Sequence, residues 1–363
     1  MPIRQLDIRG VRNLAPLNIT PSPLVNFIYG DNGSGKTSVL EAIHLLAAGK
    51  SFRSTQVRQV LSHDSDRCEI DLNFSREPES EVRALYHLRL KNGDHLFRLD
   101  GSLLSAQSQV AVLLPVQVIE PNTFRLLSGT PEDRRQFLDW GVFHVEPAFI
   151  EEWRMFRQTL KQRNSALKQD TGDWLDVWNS GFVESAQRID QFRKAYLTLL
   201  TQEFRSTLAS LDNSLDVNLN YYPGWDRDSD LASVLERQKD RDIQLGFTQS
   251  GPHRAELRIT VNRVPAAEVL SRGQQKTVVA AMKLAQGIVF KQQTGTAPIY
   301  LVDDLASELD ARHRLALCQV LEDLKCQVFI TSIEKNQLMD GWAPADFKVF
   351  HVEHGQLQEE TLA

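Results

Sequence analysis

Residues Gly30-Asp31-Asn32-Gly33-Ser34-Gly35-Lys36-Thr37 constrain this chain of 363 residues more than any other segment. An apolar run, Leu24 to Tyr29, precedes them and reads as a buried strand. Ser38 to Ala48 follows and reads as a helix with Leu40, Ile43 and Leu46 or Ala47 facing inward. Strand, glycine-rich turn and helix in that order make a phosphate-binding loop, which implies an α/β fold. The glycines let the backbone turn its N–H groups inward around phosphates. The helix N-terminus adds positive dipole beneath them. Lys36 reaches the β- and γ-phosphates of ATP and the Thr37 hydroxyl ligates Mg²⁺. Gly30, Asn32, Gly33, Ser34, Gly35 and Ser38 complete the expected nucleotide contacts of this loop.

A second acidic element is expected downstream. Pro298 to Asp304 is an apolar strand that ends in two carboxylates, the Walker-B form. Asp303 would hold Mg²⁺ through water, opposite Thr37, and Asp304 would polarise the attacking water. Lys36, Asp303 and Asp304 are therefore the candidate catalytic residues. In Leu270-Ser271-Arg272-Gly273-Gln274-Gln275-Lys276, Ser271 reads as an N-cap. The helix would run from Arg272 to Phe290 with Val278, Met282, Ala285 and Val289 on one face. A cap hydroxyl, a glycine and free N–H groups form an anion site, so Ser271, Gly273 and Gln274 join the nucleotide contacts.

This segment resembles the signature of ABC-type ATPases, in which it meets the γ-phosphate held by a second copy. Ser307-Glu308-Leu309-Asp310 resembles a D-loop. Where many ABC proteins carry a switch histidine after the next core strand, this chain has Thr331-Ser332, so sensing there would use hydroxyls. Asp304 replaces the commoner glutamate, and its shorter reach suits slow hydrolysis. Gln117, near the end of the mostly apolar run Val110 to Val118, is either a Q-loop or an ordinary polar strand end.

Other blocks narrow the resemblance. They are Phe52-Arg53-Ser54, then Arg134-Arg135-Gln136-Phe137-Leu138-Asp139-Trp140, Lys161-Gln162-Arg163-Asn164 and Gly251-Pro252-His253-Arg254. With the loop, the signature and Asp303-Asp304, they run end to end, and the chain resembles the RecF family of SMC-like ABC ATPases. The resemblance implies an ABC/SMC-like P-loop ATPase head with an inserted helical arm. It implies weak DNA-dependent ATPase activity, an ATP-dependent homodimer, and binding to double-stranded or gapped DNA. It also implies action with RecR and RecO in loading RecA. The role of Gly251 to Arg254, nucleotide or interface, stays open. Arg134 and Arg135 are expected in structural ion pairs, for example to Asp139.

The net charge of −6 argues against a general nucleic-acid binder, so any DNA surface is local. Lys50, Arg53 and Arg58 lie in a stretch without acids. A helix over Arg154 to Lys168 would place Trp153, Phe156, Leu160 and Leu167 in one stripe. Arg154, Arg157, Lys161 and Lys168 would then lie along its edge, either as a phosphate-tracking row or as a solvated face. The three cysteines are scattered and form no disulfide framework or zinc knuckle. No run is long enough to span a bilayer, and no secretory signal opens the chain, so a cytoplasmic protein is expected.

Residues 1–130 read as a strand-rich first part of the head, 131–245 as the helical arm, and 246–363 as the second part of the head. The arm looks too short and too interrupted for an extended coiled coil. A transporter's nucleotide-binding subunit would share the loop and signature, but the arm here is long and basic. An OLD-type ATPase–nuclease would need a downstream acidic nuclease domain, for which the chain leaves no room.

Overall fold

The computed structural model describes residues 2–75, 80–121, 125–169, 175–304, 310–335 and 346–360. The chain opens with β1 (Ile3–Arg9), β2 (Leu17–Ile19), β3 (Val25–Tyr29), α1 (Lys36–Ala48), β4 (Arg67–Phe74), β5 (Arg83–Leu90), β6 (His95–Leu99), β7 (Ser102–Leu103), α2 (Gln107–Leu113) and β8 (Val116–Ile119). There follow α3 (Arg125–Ser128), α4 (Pro131–Val145), α5 (Phe149–Lys168), α6 (Leu175–Leu211), β9 (Asn218–Tyr222), α7 (Leu231–Arg237), α8 (Lys239–Leu245), β10 (Glu256–Val261), β11 (Val264–Pro265), α9 (Ala266–Val269) and α10 (Arg272–Thr294). Last come β12 (Ile299–Val302), α11 (Ala311–Asp323), β13 (Val328–Ser332), β14 (Phe347–Glu353) and β15 (Gln356–Glu360).

The chain divides into two compact units. Met1–Thr123, Ser210–Asp212 and Ala280–Ala363 form the first, and it holds two sheets. One has the order β15-β14-β3-β13-β12-β8, parallel except for the edge strand β15. Its strands β3, β12 and β13 are buried at nearly every position, because a parallel sheet is covered on both faces. The other, β2-β1-β4-β5-β6-β7, is antiparallel, and β4 alternates between buried and exposed or half-buried residues. Val39, Leu40, Ile43 and Leu46 of α1 share one apolar cluster with Ile70 and Leu72 of the antiparallel sheet and Ile28 and Phe329 of the parallel one. The P-loop helix is thus the apolar filling of this unit, which fixes the loop at its N-terminus. Cys68, Cys318 and Cys326 are buried free thiols. The run Val110 to Val118 is not one strand: α2 ends at Leu113 and β8 starts at Val116, on either side of the helix-breaking Pro115.

Phe124–Ala209 and Asn213–Val279 form the second unit. It reaches past residue 245 because β10 pairs with β9, from Glu256 opposite Tyr222 to Thr260 opposite Asn218. A strand pair cannot be divided between two compact bodies, so the sheet stays with the arm. Helix α6 is the longest described helix, a single element of 37 residues, about 55 Å long at the usual rise. Phe182, Ala186, Ile189, Tyr196, Leu200 and Phe204 recur along its buried face.

Three of the family-like blocks lock this second unit together. Arg134 makes a two-point pair with Glu256 at 2.7 and 2.9 Å, and Arg135 donates to the Ala255 carbonyl at 2.8 Å. The expected Arg–Asp139 pair is made by Arg193 instead, which also donates to the Pro252 carbonyl. Arg163 is buried and binds Asp242 and Thr248 at 2.8 and 2.6 Å, while Asn164 accepts from Thr248. Apart from the Arg193–Asp139 pair, these bonds end on the segment from Asp242 to Glu256. Replacing Arg163 with Met would leave Asp242 charged and buried without its partner, so unfolding free energy should fall by about 3–5 kcal/mol. Urea unfolding of the two proteins measures this.

Candidate nucleotide site

The P-loop turns back on β14 as it leaves β3. Gly30 has φ near +149°, and a Cβ there would lie 2.2 Å from the Val352 carbonyl oxygen, so only glycine fits. Lys36 Nζ donates to the Gly30 and Asp31 carbonyls at 2.7 and 2.8 Å, which aims the ammonium across the loop. Burial lowers the Lys36 pKa, against the opposing pull of Asp304, Asp303 and Asp31. Two residues in the turn after β1 also brace the loop. Asn13 donates to the Gly33 carbonyl at 2.8 Å and accepts from Ser38 at 3.1 Å. Arg12 pairs at two points with the buried Glu41 of α1, at 2.8 and 2.7 Å. Neither Arg12 nor Asn13 was among the sequence candidates; the turn Gly10-Val11-Arg12-Asn13 between two apolar strands was the available signal.

Thr37 and Asp303 come together from α1 and the end of β12. The Thr37 hydroxyl donates to both Asp303 oxygens, at 2.8 and 3.1 Å. Thr331, at the end of β13, donates to Asp303 Oδ1 at 2.7 Å and accepts the Asp304 N–H at 2.8 Å. One hydroxyl therefore holds both carboxylate residues in place, at the position where a histidine was looked for. Burial raises the Asp303 carboxyl above its usual range, and the two hydroxyl bonds pull it back. Asp304 takes a left-handed backbone, φ +52°, which costs a non-glycine residue energy and re-aims the chain directly after the strand.

These groups line one open pocket of about 860 Å³, together with Asn32, Gly33, Gly35 and Ser38. That volume suits a nucleotide-sized ligand. The buried Ser34 hydroxyl has no partner within the chain, as expected of a group meant for an added acceptor. Thr37 and Asp303 offer the hard oxygens that Mg²⁺ prefers. Among the described residues no cluster of three or more His, Cys, Asp or Glu is built to hold a metal alone, so the cation would arrive with the phosphates.

Several candidates sit elsewhere. Gln117 is 2% exposed; its amide donates to Gln286 and accepts from Lys283, both on α10. It does not line the pocket and serves as a buried polar bridge, because its side chain leaves the parallel sheet on the helix side. Arg53 and Arg58 line the nucleotide pocket, and Arg53 reaches Glu41 at 3.4 Å. Both side chains are exposed. Lys50 is exposed. On α5, Arg154, Arg157, Lys161 and Lys168 are all exposed, while Phe156 and Leu167 are buried.

Ser271 caps α10: its hydroxyl accepts the Gln274 N–H at 3.3 Å, and Gln274 Oε1 accepts the Ser271 N–H at 2.9 Å. Gln274 thus serves the cap. Ser271, Arg272 and Gly273 are exposed, and a Cβ on Gly273 would meet nothing within 4 Å. Val278, Met282, Ala285 and Val289 are buried. His253 donates to the Thr248 carbonyl at 3.0 Å, and burial holds its pKa down at about 4. It lies half-buried in the second unit and does not line the nucleotide pocket. Of the D-loop, Ser307, Glu308 and Leu309 lie outside the described residues.

Among the described residues no helix is long and apolar enough to cross a membrane. The profile of the RecF/RecN/SMC N terminal domain matches residues 2–358. A DNA replication and repair protein RecF of Stutzerimonas stutzeri is 46% identical over 99% of this chain and 98% of its own length. The RecF of Pseudomonas aeruginosa strain LESB58 is 44% identical over the same shares. The solved structure of the recombination mediator protein RecF-ATP in the RecFOR pathway superimposes with a TM-score of 0.87 at 23% identity, over 99% of this chain and 98% of that one. An Smc head bound to the C-winged helix domain of ScpA gives 0.58 at 15%, over 100% and 98%. The structural likenesses show the ATPase-head fold, and the sequence relatives narrow it: this chain belongs to the RecF family of DNA replication and repair proteins.

Proposed function

We propose that the chain is an ATP-dependent DNA clamp of recombinational repair, acting in the cytoplasm. The observation that carries this reading is the joining of Lys36, Thr37, Asp303, Asp304 and Thr331 in one pocket. Two copies enclose two ATP molecules, each held by Lys36 and Thr37 of one copy and by Ser271 and Gly273 of the other. The exposed, uncrowded face of Gly273 supports an approach from outside. Mg²⁺, held between Thr37 and Asp303, would neutralise charge on the transferred phosphoryl group. Asp304 orients the attacking water, and hydrolysis opens the clamp. Turnover is slow and DNA-dependent, with ATP mainly a switch for assembly. The relatives' names and the RecFOR setting of the solved RecF support a place beside RecR and RecO at gapped DNA, where RecA is loaded.

Sedimentation with no nucleotide, ADP, ATP and a slowly hydrolysed analogue, each with and without duplex DNA, tests the assembly. Dimers should form only with ATP or its analogue; a dimer indifferent to nucleotide removes the switch. The exposed edge of α5 gives the DNA contact. Lys161→Glu with Lys168→Glu should weaken duplex binding evenly across sequences, since phosphate contacts carry no base information. The salt dependence should become shallower by about one unit per lost contact. ATP-driven dimers without DNA should persist. Fluorescence anisotropy over a salt series measures this, and unchanged affinity and slope would move the surface to Lys50, Arg53 and Arg58.

A further inference from the structure

The Arg134, Arg163 and Gly251–Arg254 blocks have no part in the nucleotide site, yet all of them fix the segment from Asp242 to Glu256. The outer face of that segment is a recess within the second unit. Its floor holds the buried Trp225 and Val234, and its rim holds Arg237, Arg254 and the exposed ring of Phe247. Two turns are pressed together behind it. Gly251 N–H donates to the Gly224 carbonyl at 3.1 Å, and a Cβ on Gly224 would lie 2.2 Å from the Gly251 oxygen.

The charges of this recess are unusual for the unit. Arg134, Arg163 and Arg193 are each paired with a carboxylate. Arg237 and Arg254 are exposed, and among the described residues neither has a carboxylate within ion-pair distance. Arg237 donates only to the Ser229 hydroxyl, at 2.9 Å. Arg254 lies over the Phe247 ring, 5.5 Å from its centroid. Beside the recess, Arg227 and Arg258 approach the Tyr222 ring, at 5.9 and 6.0 Å. The lining carboxylate, Asp226, accepts from Ser229 and the Asp228 N–H and also feels the Arg237 charge, all of which hold its pKa down. Gln249 Nε2 is buried there without an acceptor. The recess therefore offers donors, aromatic rings and two arginines against one lining carboxylate, Asp226.

It also continues the basic edge of α5. Lys168 Cγ lies 3.4 Å from where a Cβ on Gly246 would be, and Gly246 adjoins Phe247. From Arg154 to Lys168 that edge runs about 21 Å along the helix and ends beside the recess.

We infer that this recess takes an unpaired nucleotide of single-stranded DNA, its phosphate against Arg237 and Arg254 and its base on the exposed ring of Phe247. Cationic grooves lined with aromatic rings are how single strands are held without regard to sequence. An acidic protein segment would satisfy the cations but would bring no ring to stack on the exposed part of Phe247. The inference rests on the reading of α5 as a duplex-binding edge, which would deliver the end of a duplex to the recess.

The test compares a labelled blunt duplex, the same duplex with an oligo(dT) tail, and oligo(dT) alone, by anisotropy with the full chain and ATP. The tailed duplex should bind about tenfold tighter than the blunt one. Arg254→Gln and Phe247→Ala should each erase most of that advantage and most oligo(dT) binding. Blunt-duplex affinity, ATP-driven dimers and melting temperature should not change. Equal binding of tailed and blunt DNA by the unmodified chain, or a tail advantage untouched in both variants, overturns the inference. Displacement of the tail by polyglutamate in preference to oligo(dT) overturns it in favour of an acidic protein. Absence of blunt-duplex binding would remove the clamp reading, while the oligo(dT) arm still decides the recess by itself.

Discussion

Asp303→Asn is expected to lower ATP turnover at least about a hundredfold, since a metal ion contributes several kcal/mol to such a step. The carboxylate stands where three demands meet. Thr37 and Thr331 both donate to it, at 2.8 and 2.7 Å, and its negative charge is what would hold Mg²⁺ opposite the Thr37 hydroxyl. An asparagine keeps the volume but supplies no charge. Its amide oxygen can still accept from both hydroxyls at the Oδ1 position, so the loss falls on the charge rather than on these bonds. ATP binding should fall much less, because Lys36 and the inward N–H groups of the loop remain. Phosphate release over a Mg²⁺ titration, beside binding of a fluorescent ATP analogue, separates the two effects. Full turnover in the variant would remove Asp303 from the site.

Ser271→Arg should abolish ATP-dependent dimers while leaving ATP binding by each chain nearly intact. Ser271 is exposed and caps α10, and the neighbouring Gly273 presents open space. An arginine removes the cap and fills that space. In the composite-site reading, it does so where the other copy's γ-phosphate must dock. Ser271→Ala removes only the cap hydroxyl, so it should weaken dimers without eliminating them. Mixing Ser271→Arg with Lys36→Met chains can leave at most one intact composite site. Sedimentation with a slowly hydrolysed ATP analogue provides the readout. Wild-type dimerisation by Ser271→Arg would mean that the signature segment does not act across two copies.

The two predictions rest on parts of the molecule that were legible to different degrees. The P-loop, the Thr37–Asp303 meeting and the cap at Ser271 could be read from residue order. A phosphate loop needs glycine, lysine and threonine at adjacent positions, and a helix cap needs its hydroxyl one step before the first turn. Such demands are local, so the sequence displays them directly. The strand after the signature helix ends in acids for the same reason: a parallel strand delivers its C-terminal residues to the phosphate edge.

What the sequence by itself determined, then, was the chemistry of the contiguous motifs and their order in an α/β head. Tertiary structure alone decided which side chains from distant segments share a space. Gln117 read either as a Q-loop or as an ordinary polar strand end, and only the fold shows that its side chain meets Gln286 and Lys283. Arg53 was grouped with Lys50 and Arg58 by charge alone; only the fold shows that it shares the buried Glu41 with Arg12 at the nucleotide pocket. Asp139 was expected beside Arg134 or Arg135 and binds Arg193. A charge in sequence carries no address: its partner is set by which carboxylate the fold buries nearby, because a buried charge must be paired. The same rule, working through Glu256, Asp242 and Asp139, pairs the inner arginines of the second unit and leaves Arg237 and Arg254 facing outward.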